Sequence, residues 1–81
     1  MHAYVLVTVE REKYNDVFKA IDPFVVLAEG TEPGTDWQIT AHIHKTRKSE
    51  IEKLHRRIRK IKGVTHTALA FEKPTRQKQN R

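Results

Sequence analysis

The alternation of apolar and polar positions divides the chain into six elements. Residues 3–9 (AYVLVTV) form a near-continuous apolar run rich in β-branched side chains, the pattern of a strand buried on both faces or nearly so. A charged break over residues 10–13 follows. Tyr14, Val17, Phe18 and Ile21 then recur at i, i+3, i+4 and i+7, which predicts an amphipathic helix. Pro23 ends it, because the residue before a proline is pushed out of the α region. Residues 24–29 (FVVLAE) predict a second short strand, and residues 30–35 (GTEPGT), with two glycines and a proline, predict a turn. Along residues 37–44, Trp37, Ile39, Ala41 and Ile43 alternate with Gln38, Thr40, His42 and His44, as in a half-buried strand.

The strongest local pattern is residues 49–71, a helix that runs through a one-glycine turn into a strand. Ile51, Leu54, Ile58 and Ile61 make one apolar stripe at helical spacing. Ser49 stands just before it and Glu52 three residues later, which predicts a capping box. Acids come first (Glu50, Glu52) and bases last (Arg56, Arg57, Arg59, Lys60, Lys62), matching the helix dipole. Gly63 follows as a residue able to take positive φ, and residues 64–71 predict the last strand.

The order is βαββαβ. Two interleaved strand–helix–strand halves give a ferredoxin-like α+β domain over residues 1–72, a four-stranded antiparallel sheet with two helices on one face. The other face is left bare. Tyr4 and Leu6 alternate with Val5, Val7 and Val9, so whichever set meets the helices, apolar side chains remain on the open side. Such a face usually marks an interface, and a homodimer or a larger ring of dimers is expected.

Composition narrows the function. A chain of 81 residues holds one small core, for which self-association is a common remedy. It has no cysteine, hence no disulfide framework and no thiolate zinc site. No apolar run approaches the ~20 residues of a membrane span, and no signal-peptide pattern opens the chain, so a cytoplasmic protein is expected. The formal net charge is +6, unevenly spread. Residues 1–44 carry three Lys/Arg and seven Asp/Glu, whereas residues 45–62 carry nine and two. Residues 73–81 lack any apolar side chain and are expected to form a basic disordered tail.

With these elements in place, the chain resembles a stand-alone RAM domain, the effector-binding module of the Lrp/AsnC transcriptional regulators. The likeness rests on AYVLVTV, on EIEKLHRRIRKIKGV, and on GVTHTALAFE, where Gly63, Val64 and Thr67 fit the family pattern. It implies dimers through the sheets, often assembled into octameric rings, with amino acids or related molecules bound between subunits near the loop joining strands 2 and 3. The family loop reads Gly, any residue, aromatic, Asp; here Gly34, Thr35, Asp36 and Trp37 keep the glycine and exchange the other two. Full-length relatives add a helix-turn-helix, for which this sequence has no room. The resemblance therefore implies a sensing and oligomerisation module in transcriptional regulation, with a possible helix-turn-helix partner. ACT domains, which share the fold and bind amino acids, are the neighbouring alternative.

Candidate chemistry follows from these places. Asp36, beside Glu32, can bind an α-ammonium group, and the glycine N–H groups at Gly30 or Gly34 can bind a carboxylate in a nest. Thr35 and Trp37 belong to the same loop, and Thr65 and Thr67 can add hydroxyl contacts. The plain alternative is an ordinary turn with a core-anchoring Trp37. His42 and His44 share a strand face, with His66 from the last strand, and imidazole pairs can bind Zn²⁺ or Cu²⁺. The simpler reading is polar residues of an interface, so neither metal nor cofactor is expected. Histidines there would make assembly pH-dependent. His55 flanks the helix stripe. The run Arg56, Arg57, Arg59, Lys60 and Lys62 is of a kind that contacts phosphates, which makes a nucleic-acid-binding module, using this helix and the tail, the rival reading. The same run also suits a solvated helix end. An enzyme is not expected: Ser49, the only serine, is assigned to a cap, and there is no phosphate-binding glycine motif.

Overall fold

The computed structural model of the chain describes residues 1–30 and 38–72. Four strands, β1 (His2–Val9), β2 (Leu27–Gly30), β3 (Gln38–His44) and β4 (Val64–Ala70), form one antiparallel sheet in the order β2-β3-β1-β4. The helices α1 (Tyr14–Ile21) and α2 (Lys48–Arg59) cover one face. This is the expected ferredoxin-like α+β fold.

The core lies between the helices and one side of the sheet. Ala3, Val5, Val7 and Val9 of β1, with Ile39, Ala41 and Ile43 of β3, are buried against Val17 and Ile21 of α1 and Ile51, Leu54 and Ile58 of α2. Among the described residues no polar or charged side chain is buried. β1 is not buried on both faces: Tyr4, Leu6 and Thr8 are half-exposed, because nothing among the described residues covers their side.

The second apolar run departs further from expectation. Pro23 fits the start of a 3₁₀ turn (Asp22–Phe24) directly after α1, where its missing N–H is no loss. That turn consumes Phe24, and the ladder begins only when Val26 N–H donates to His42 O at 2.8 Å. Phe24 and Val26 are left 41% and 61% exposed, so FVVL is not one buried strand.

The cap of α2 also moves. The helix starts at Lys48, with Arg47 rather than Ser49 as the N-cap. Arg47 N–H donates to Glu50 Oε1 at 3.1 Å, and Arg47 O accepts from Glu50 N–H at 3.1 Å and Ile51 N–H at 3.3 Å. Glu50, not Glu52, is the reciprocal acid. Starting at Lys48 places Ile51, the first stripe residue, where its own N–H closes the first turn. At the far end α2 stops at Arg59 and tightens: Ile61 N–H donates to Ile58 O and Val64 N–H to Ile61 O, both at 3.1 Å. Gly63 takes φ 104°, and its carbonyl accepts Glu10 N–H at 2.9 Å. The expected left-handed glycine is present, several residues past the helix end.

Candidate functional site

Strand register decides what the open sheet face presents, because directly opposed residues share a face. The rungs run across the sheet. His44 faces His2; Leu27, His42, Tyr4 and Ala70 make the next rung; Glu29, Thr40, Leu6 and Ala68 the next; Gln38, Thr8 and His66 the last. The middle holds Tyr4 and Leu6, flanked by Ala68, Ala70 and Leu27, the last 51% exposed.

One end of this face is an aromatic cluster. Tyr4 stacks on His42 with ring centroids 4.6 Å apart, and His2 stacks on His44 at 4.2 Å. His2 Nδ1 and His42 Nε2 lie 2.9 Å apart, a hydrogen bond in which one ring donates and the other must be unprotonated to accept. The neighbouring His2, then the N-terminal ammonium, slight desolvation and His42, hold the His44 pKa below its ordinary value. His2 was not among the expected site residues. The signal was the two-residue period itself, which puts position 2 on the face of Tyr4 and Leu6.

The expected site residues do not converge among the described residues. Gly34, Thr35, Asp36 and Trp37 lie outside them, as does the tail at 73–81. Thr65 Oγ1 donates to Thr8 O at 3.2 Å, at the irregularity where β4 slips against β1. Thr67 turns toward α2, with its Oγ1 2.9 Å from His55 Nε2. His66 sits opposite Thr8, two rungs from His42, with β1 between. No group of three metal-ligating side chains is arranged to hold an ion among the described residues.

The bases of α2 do not form one stripe. At about 100° per residue, Arg57 flanks the apolar stripe on one side, while Arg56, Arg59 and Lys60 spread over the outward half. The Arg57 guanidinium lies over the Phe24 ring at 4.1 Å. His55 flanks the stripe on the β4 side, and burial, then Arg59 and Arg56, lower its pKa.

No family model matches the chain, and no significant match is found among curated proteins. Among solved structures the chain is similar to the solution structure of the E. coli Tat proofreading chaperone protein NapD, with TM-score 0.66 and 13% identity over 100% of this chain and 85% of that one. At that identity the likeness carries the fold. No helix among the described residues is long and apolar enough to cross a membrane.

Proposed function

We propose that the chain is a small regulatory binding module that pairs with a second copy through its open sheet face and senses a small molecule, an amino acid or a close relative, as the RAM-domain resemblance implies. The observation that supports this is the uncovered middle of the sheet. Tyr4 and Leu6 stand in the central strand with Leu27, Ala68 and Ala70 around them, and the helices occupy only the opposite side. A twin copy would shield these side chains and, on the family pattern, bring two 34–37 loops to the subunit boundary. The expected result is a dimer or larger ring by light scattering at micromolar concentration, and a monomer for Leu6→Glu with an unchanged circular dichroism spectrum. A wild-type monomer overturns the reading. Titration of the proteinogenic amino acids, followed by Trp37 fluorescence, tests the sensing half; no response to any of them removes it.

The likeness to a chaperone over the whole chain favours a second reading, in which the same face receives a polypeptide. That reading predicts a monomer whose Tyr4, Leu6 and Ala68 resonances shift on adding a peptide substrate.

A further inference from the structure

On the helix side of the domain, α2 and the Asp22–Phe24 turn border a half-open hollow of about 570 Å³, within the range of small-molecule sites. Glu50, Lys53, Leu54 and Arg57 line one wall, spaced i, i+3, i+4 and i+7, so all four project from one strip of the helix. Pro23 and Phe24 form the opposite wall, and Lys45, just past β3, closes the end. Leu54 is only 8% exposed and gives an apolar floor continuous with the core.

The charge in this hollow is lopsided. Lys45, Lys53 and Arg57 meet a single carboxylate, Glu50, whose Oε1 already accepts the Arg47 N–H. Two positive charges are left in excess. Arg57 is also held in place: its guanidinium lies over the Phe24 ring at 4.1 Å, a cation–π contact that consumes none of its N–H donors as hydrogen bonds. An ordered guanidinium fork, two ammonium groups and an exposed aromatic edge above an apolar floor suit a ligand with a compact dianionic head and a flat apolar body.

We infer that this hollow binds a small phosphate monoester carrying a ring, of the aryl or nucleoside monophosphate class. The phosphate lies against Arg57, Lys53 and Lys45, and the ring lies against Phe24 and Leu54. This inference does not depend on self-association, because the hollow and the open sheet face are on opposite layers.

The test is titration of phenyl phosphate into ¹⁵N-labelled protein. Saturable shifts are expected at the amides of Phe24, Lys53, Leu54 and Arg57. Arg57→Met is expected to weaken binding by about tenfold or more; Lys53→Met and Phe24→Ala weaken it too. Inorganic phosphate, lacking the ring, binds more weakly. Lys60→Gln removes an exposed cation of the same region outside the hollow and leaves the affinity unchanged. Spectra of the free variants that overlay the wild type away from the substituted residue verify that they fold. Shifts that never saturate, or a loss for Lys60→Gln equal to that for Arg57→Met, overturn the inference in favour of diffuse attraction to a basic surface.

Discussion

His55 Nε2 lies 2.9 Å from Thr67 Oγ1, a side-chain bond that ties α2 to the edge strand β4. The threonine is one that the RAM-domain resemblance would offer to an effector; in the free chain it is engaged with a helix residue instead. Removing one partner leaves the other half-buried and unsatisfied, so Thr67→Val is expected to cost about 1 kcal/mol in a urea titration. His55→Leu with Thr67→Val should cost less than the two single changes together, which a double-mutant cycle reads directly.

His55 also makes stability depend on pH. The folded-state pKa of His55 is lowered, by burial first and by Arg59 and Arg56 next. The unfolded chain therefore takes up a proton before the folded one does. Stability is expected to be flat above the ordinary histidine pKa, to fall as pH drops through it, and to level off below the lowered folded-state value. His55→Leu should flatten part of that fall.

Assembly should respond to acid as well. His2, His42 and His44 stand together at one end of the open face with the N-terminal ammonium near them. The His2–His42 bond requires one unprotonated ring, and full protonation sets three like charges side by side on the face proposed to pair. Light scattering at about pH 8 and about pH 5.5 is expected to show the larger species only at the higher value. Replacing all three, His2→Gln with His42→Gln and His44→Gln, should abolish the difference.

The start of α2 offers a sharp comparison. Glu50 closes the Arg47 N–H, whereas Ser49 lies within the first turn. Glu50→Ala is expected to lower stability by about 1 kcal/mol and Ser49→Ala by only a few tenths. Thermal melts of the two variants decide between the observed cap and the one the spacing predicts.

Gly63 is a turn position closed to substitution. A Cβ there would stand 2.5 Å from Lys13 Cβ and 3.1 Å from Val17 Cγ2, at φ 104°. Gly63→Ala is expected to cost about 2 kcal/mol or more, since the backbone conformation and the collision with α1's first turns both oppose it. Equilibrium unfolding measures it.

These residues show how far the sequence could be read. Element order and the inward set Ile39, Ala41 and Ile43 followed from periodicity, because a two-residue repeat leaves no freedom about which side turns in. The cap of α2 did not, because a Ser and an acid at the right spacing were both present two residues later than the pair used. Phe24 and Val26 looked like part of a strand because apolar character does not reveal that a proline-led turn will spend the first residues. His2 and the Arg57–Phe24 stack could not be seen, since both join residues far apart in the chain through a register or a turn that only the folded backbone fixes.

The strand nearest the N-terminus occupies the interior of the sheet, and both of its neighbours come from much later in the chain. During synthesis β1 emerges with nothing to zip against; β3 must be complete before its first ladder forms, and β4 before its second. Nearly all of the sheet's pairing is therefore long-range, and folding waits on the last strand. A chain halted before residue 64 would expose one whole flank of β1, the most valine-rich strand, to any other unfinished copy.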